Sequence, residues 1–274
     1  MKEGESMSGM TQREYREAEG ISRSELNILR ELTPFHFKYS QEHRDETESL
    51  ALLEGRAAHK EILEPDEFAD EFACAPQCDR RTKEGKEIYA RFLTESEGKE
   101  VLYPDSYQKV KDMAEAIRQN KQAMRFLQGQ GALHELSYFW TDPETEELCK
   151  VRPDCITTVD GKKYIVDYKT TESCADGAFE RSVKKYGYKF QAGMYREGVF
   201  QNTYEDYGFV FIAQEKKAPY AVRVYICNED FINEGYEQFR QTINLYHYCK
   251  VNDVWYGYEG PENIISELVG EGDI

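Results

Sequence analysis

Apolar and polar positions repeat with two different periods along this chain, and the period changes near residue 132. Ahead of that point it is helical. Ser22 or Ser24 can start a short helix running to Leu32, and Glu25 stands three residues after Ser22, the spacing of a reciprocal capping box. Thr33-Pro34 breaks this helix, and Pro34 can open a further helical turn over PFHFKYSQ. Residues 46–63 form a clear helix with an apolar stripe at Leu50, Leu53, Ala57 and Ala58. Gly55 and His59 lie four apart on one face of it, so a backbone or ligand can approach at the glycine beside the imidazole. A loop over residues 73–81 follows, then helices over 83–93 and 105–128 separated by Val101-Leu102-Tyr103, with Gly129 and Gly131 closing the helical half.

From Ala132 onward side chains alternate as in strands. LHELSYFW, the acidic turn DPETEE and LCKVRPD lead into two runs rich in β-branched and aromatic residues that flank Asp160-Gly161, a strong hairpin signal. Helices over 176–185 and 189–200, strands YGFVFIA and AVRVYIC, and a helix over 229–250 complete the pattern. This order predicts a mixed α/β sheet flanked by helices. The expected division is a flexible tail over 1–20, a helical region over 21–131 that carries His59, a core over 132–250 and a C-terminal tail over 251–274.

The hairpin is where chemistry is expected. Strand side chains alternate faces, so Asp167 and Lys169 point to one side and Tyr168 to the other. Ile165-Val166 is apolar on both faces, which marks a central strand, where a charge is costly without a purpose. The hairpin brings Asp154 alongside. Two carboxylates and an ammonium converging at one end of a sheet suit a hard divalent cation and a water to be deprotonated beside it.

Composition and charge narrow the class. No run approaches the roughly 18 apolar residues of a membrane span. The first twenty residues lack the apolar core of a signal peptide, so a cytoplasmic protein with no membrane partner is expected. The seven cysteines are scattered; neither Cys74/Cys78 nor Cys149/Cys155 has the spacing of a zinc knuckle, which disfavours structural zinc and an iron–sulfur cluster. A net charge of -17 excludes a protein that coats nucleic acid nonspecifically. Residues 150–196 nevertheless hold ten basic and six acidic residues, a local +4 that leaves -21 for the rest. A basic groove in an acidic exterior is compatible with an anionic substrate.

Taken in order, Gly55-x-x-x-His59, Glu135, Asp154, Asp167-Tyr168-Lys169 and Gln191-x-x-x-Tyr195 resemble the RecB-type nuclease branch of the PD-(D/E)XK superfamily. The opening ISRSELNILRELTPFHFKY resembles the start of RecE-type (exodeoxyribonuclease VIII-like) phage and prophage exonucleases. The likeness spans Ile21 to Lys250 and implies a restriction-endonuclease-like fold. It implies that Asp154 and Asp167 hold Mg²⁺ or Mn²⁺, joined by His59 and the Tyr168 carbonyl. Lys169 would orient or help deprotonate the attacking water, and Glu135 would act as an acid behind the ligands or bind a second metal. Gln191 and Tyr195 would position these groups and the DNA backbone. Of the basic surplus, Arg152, Lys184, Lys185 and Lys189 are the candidates for DNA contact.

Many members of that branch carry four cysteines for an iron–sulfur cluster, three near the C-terminal end. Here only Cys227 and Cys249 follow the Gln/Tyr pair, which favours the RecE-like group and no cluster. The resemblance further implies 5′ to 3′ resection of one strand at double-stranded DNA ends, a ring-shaped homo-oligomer and a single-strand annealing protein as partner. Two rivals are a RecB-like endonuclease or single-strand nuclease, and a catalytically silent DNA-binding or assembly module. The intact Asp154/Asp167/Lys169 set argues against the silent module.

Overall fold

The computed structural model describes residues 10–43 and 49–262. It opens with α1 (Gln12–Glu17), which lies where a flexible tail is expected from the sequence. Thr11 and Glu14 form a capping box at its start, and the Lys150 ammonium collects the Tyr15 and Ala18 carbonyls at its end, at 3.0 Å for Tyr15. A helix of six residues holds no fold alone; these tertiary contacts fix it.

After β1 (Ile21–Ser22), α2 (Arg23–Glu31) starts at the Ser22/Glu25 capping box and α3 (Pro34–Glu42) at Thr33, both as expected. Helix α4 (Leu50–Leu63) is capped by Ser49, and the expected earlier turn from residue 46 lies outside the described residues. Its stripe is narrower than predicted, since Leu50 is 56% exposed while Ala57 and Ala58 are buried. Then come α5 (Phe68–Glu71), β2 (Phe72–Cys74), α6 (Lys83–Glu95) and β3 (Glu100–Leu102), with β2 and β3 paired in parallel. The single helix expected over 105–128 is two, α7 (Pro104–Gln119) and α8 (Lys121–Leu127). Asn120 between them is extended, and its side chain caps α8 through the Ala123 amide.

Next are β4 (Gln130–His134), β5 (Tyr138–Thr141), β6 (Leu148–Val151), β7 (Cys155–Val159) and β8 (Lys162–Thr171), followed by α9 (Asp176–Tyr186) and α10 (Tyr188–Thr203). Strands β9 (Gly208–Glu215) and β10 (Val222–Cys227) and helix α11 (Glu229–Asn252) end the fold. The main sheet has the order β10-β9-β8-β7-β4, with β8 central and parallel to β9 and the other pairs antiparallel. Asp160 and Gly161 both take positive φ, 52° and 76°, the two-residue turn whose twist suits the β7–β8 hairpin.

Each face of this sheet has its own core, and strand alternation decides what joins which. Ile165, Phe209 and Phe211 pack with Leu26, Phe179, Phe190 and Phe239 of α2, α9, α10 and α11. Val166, Tyr168, Val210 and Ile212 pack with Ala58, Met113, Ile117 and Phe126 of α4, α7 and α8. Asp167 therefore emerges on the α10 side. Among the described residues no helix is long and apolar enough to cross a membrane.

One predicted strand is broken. LHELSYFW divides at Glu135, which has φ 53°, into β4 of the main sheet and β5 of a small sheet ordered β1-β6-β5. Its partner breaks at the same level: β6 pairs with β5, β7 pairs with β4, and Pro153-Asp154 joins them. The Glu135 amide donates to the Asp154 carbonyl at 3.1 Å across this corner. Both chains change sheets together, and each places a carboxylate at the bend.

Candidate metal centre and cleft

Glu135 and Asp154 meet His59 of α4 at that corner. One ligand atom from each of the three lies within 4.8 Å of the others. His59 Nδ1 is 3.5 Å from Asp154 Oδ2, and its ring packs edge-on against Tyr168 with centroids 4.8 Å apart. Asp154 Oδ2 also accepts the Tyr168 backbone amide at 2.7 Å, which ties the corner to the central strand. Gly55 has open space where a side chain would be, so no backbone approaches it and the helix face beside His59 stays free.

Beside this trio, Lys169 Nζ is 2.5 Å from Asp167 Oδ1, an ion pair outside the angles of a hydrogen bond. Gln191 of α10 donates Nε2 to the other Asp167 oxygen, and its own buried Oε1 has no hydrogen-bond partner among the described residues. Tyr195, one turn on, lines the same cleft and packs against Phe209.

The groups expected to act together are thus adjacent, but their grouping differs from expectation. Glu135 stands with His59 and Asp154, whereas Asp167 is engaged by Lys169 and Gln191. Arg152 is not a free DNA-facing cation. It is only 9% exposed, and its guanidinium holds Glu135 at 2.6 Å, Ser137 Oγ at 2.9 Å and the Met10 carbonyl at 2.7 Å. Lys189 pairs with Glu234, and Lys184 and Lys185 are exposed on α9 and do not line the cleft.

The cleft above these groups holds about 410 Å³. Arg16 of α1, Arg23 of α2, and Arg56 and Lys60 of α4 line it, and none of them was singled out from sequence. Their signal was weak because an isolated arginine or lysine on a helix looks like a solvated surface.

Electrostatics in the corner are unfavourable without a cation. Burial, and then the Asp167 charge, push the Asp154 carboxyl well above the ordinary range against the pull of Lys169. Burial and the Asp154 charge push Glu135 up to about 7 despite Arg152. Burial lowers the His59 pKa, so its imidazole is neutral and has a lone pair to give. Two carboxylates that resist ionising, a neutral imidazole and the Tyr168 carbonyl at the His59 face form a donor set for a divalent ion. At metal–oxygen distances near 2.1 Å, opposed ligands sit about 4.2 Å apart, so small side-chain rotations suffice to close on an ion.

The sign of the pH effect follows. A carboxyl whose pKa is raised by folding makes the metal-free protein less stable as pH climbs from the unfolded carboxylate range through about 7. A cation must displace those protons, so its affinity rises over the same interval. Calorimetric Mn²⁺ titrations are expected to show affinity rising by up to about tenfold per pH unit below 7 for each proton displaced. An affinity that is flat or greater at acid pH contradicts the assignment of Glu135 and Asp154 as ligands.

The bent two-sheet corner, with its acidic cluster and a lysine on the central strand, defines a PD-(D/E)XK-like protein. The family described as "PDDEXK-like domain of unknown function (DUF3799)" matches residues 22–266, and the chain belongs to it. No curated protein matches the chain. A solved structure from Eubacterium rectale, described as a "Putative exonuclease", aligns with a TM-score of 0.63 at 16% identity. The alignment covers 96% of this chain and 97% of that one, and likeness at this identity shows the fold alone. The structure of SSO0001 aligns at a TM-score of 0.31 and 14% identity over 73% of this chain and 88% of that one, too little to carry an argument. Family and fold together place the chain among PDDEXK-like domains.

Proposed function

We propose that the chain is a divalent-metal-dependent DNA exonuclease of the RecE type. In this reading it acts 5′ to 3′ on double-stranded ends in phage-type recombination, as a cytoplasmic homo-oligomer beside a single-strand annealing protein. The observation that carries the nuclease reading is that His59, Glu135 and Asp154 line one cleft with Lys169, whose ammonium pairs with buried Asp167. The RecE-type specificity rests on the resemblance of the opening segment and the order of the motifs.

Asp154, Glu135 and His59 are the residues to hold Mg²⁺ or Mn²⁺, with the Tyr168 carbonyl and Asp167 as further oxygens. A bound ion supplies charge neutralisation for the phosphodiester and a lowered pKa for water. The rest belongs to the chain. Lys169 is 20% exposed, on the cleft side, where its ammonium can donate to the attacking water or to a phosphate oxygen. Gln191 holds Asp167 in place, and Arg152 holds Glu135. With the carboxylates anchored, the nucleophile and phosphate can be aligned without reorganisation of the site.

Linear duplex labelled at its 5′ or 3′ end, compared with covalently closed circles, tests this reading. In Mn²⁺ or Mg²⁺ the 5′ label is expected to leave first as mononucleotide or short product, with circles intact and EDTA stopping the reaction. Cleavage of circles instead points to the endonuclease, and digestion of single strands alone to the single-strand nuclease. No cleavage of any substrate in metal leaves only the silent module.

A further inference from the structure

Two of the metal-ligand candidates touch one residue that points away from Asp167 and Lys169. Tyr168 leaves β8 on the opposite face and is fully buried beside Ala58, Met113 and Ile212. Three of its parts meet the corner. Its amide donates to Asp154 Oδ2 at 2.7 Å, its carbonyl stands at His59, and its ring centroid lies 4.8 Å from that of His59.

The far end of the Tyr168 ring is held as well. Its phenol lies 2.5 Å from Oε1 of Gln214 on neighbouring β9, a side chain with no exposure at all. Gln214 Nε2 donates to the Met113 carbonyl of α7 at 2.9 Å and to the Tyr220 carbonyl, between β9 and β10, at 3.3 Å. Both carbonyls are acceptors only, so the amide nitrogen must face them and the amide oxygen must face the phenol. Tyr168 therefore donates, and the polar side-chain atoms of both residues are all used. A hydroxyl taken out of water is costly unless its bond is made, so this bond fixes where the ring stands.

His59 needs that support. Its Nδ1 is 3.5 Å from Asp154, too long to fix a ring unaided, and Gly55 one turn earlier has no side chain to brace it. The other two contacts at its ring, a carbonyl and an aromatic edge, both belong to Tyr168.

We propose that Gln214 and the Tyr168 phenol are positioning groups for the metal centre. They fix the His59 imidazole and thereby set how strongly the site favours first-row transition ions over Mg²⁺. This deepens the metal-dependent reading and rests on it. An imidazole nitrogen suits the later first-row ions, whereas Mg²⁺ takes oxygens and keeps several waters. The placement of His59 therefore weighs on the first kind of ion far more than on the second.

Calorimetric titrations of the full chain with Co²⁺ alone and with Mg²⁺ alone at pH 8 test this. Gln214→Met strands the buried phenol, whose ring must shift to find another acceptor. It is expected to weaken Co²⁺ about tenfold and Mg²⁺ by less than about threefold. Tyr168→Phe strands no donor and should weaken Co²⁺ by only about threefold. Tyr168→Phe/Gln214→Met should return to the Tyr168→Phe value, because no hydroxyl is left to draw the ring away, whereas loss of packing alone makes the double variant the worst of the three. In a His59→Ala background neither substitution should move the Co²⁺ to Mg²⁺ ratio further. Melts in EDTA check folding, and Tyr168→Phe, which keeps the ring, carries the test if Gln214→Met does not fold.

A ratio that stays at the wild-type value in these variants overturns the assignment. So does a Co²⁺ loss that persists undiminished in the His59→Ala background, which makes the pair a support of the fold alone. In both cases a wild type that loses Co²⁺ affinity on His59→Ala keeps its metal centre. A wild type that binds neither ion, or binds both regardless of His59, removes the metal-dependent reading and this inference with it.

Discussion

Asp154→Asn is expected to lose at least about a thousandfold in metal-dependent DNA hydrolysis and yet to melt higher than the wild type in EDTA at pH 8. Both effects have one cause. Burial and Asp167 already oppose ionisation of Asp154, so at pH 8 its charge is a cost to the metal-free fold. Asparagine keeps an oxygen for the Tyr168 amide, bonded at 2.7 Å in the wild type, and removes the charge. The same charge is what a cation needs, so the stabilised variant has no site. Digestion assays and thermal melts with and without Mn²⁺ read the two effects on one preparation. Retained hydrolysis, or a lower melting temperature in EDTA, contradicts the placement of Asp154. Lys169→Ala is expected to lose rate with a loss of stability, because buried Asp167 is left with Gln191 alone.

Arg152→Ala is the second large effect. Its guanidinium is nearly buried and holds Glu135, Ser137 and the Met10 carbonyl together, so removal strands a carboxylate and unties the segment before α1. Truncating one partner of such a pair costs about 3 kcal/mol or more when the other stays charged. The deficit in urea denaturation should be larger at pH 8 than near pH 5.5, where Glu135, whose pKa is already about 7, is neutral in either protein. Without Arg152 the Glu135 pKa rises further, so the pH at which Mn²⁺ binds should move upward. A deficit independent of pH would assign Arg152 to packing alone.

What the sequence made legible is what local chemistry controls. The Ser22/Glu25 capping box, the proline at the start of α3 and the Asp160-Gly161 turn each fix a backbone through near neighbours. Alternation on β8 likewise placed Asp167 and Lys169 on one side and Tyr168 on the other. The misses depend on distant partners. Glu135 sits in an alternating apolar pattern, and nothing in LHELSYFW announces a residue at positive φ; the bend exists because the partner chain turns at Pro153-Asp154. Asn120 breaks a helix whose apolar period runs through it, by capping the next one. Helix α1 is too short to be stable on its own and owes its place to Lys150 and Arg152, more than 130 residues away. Arg152, expected from sequence to contact DNA, is instead nearly buried and holds Glu135.

The central claim is that the two-sheet corner holds a divalent ion. Anomalous diffraction from crystals soaked in Mn²⁺ above pH 7.5 tests it most directly. The expected result is a peak between the side chains of His59, Glu135 and Asp154 that vanishes in Asp154→Asn; a peak elsewhere, or none at that corner in wild type, contradicts it.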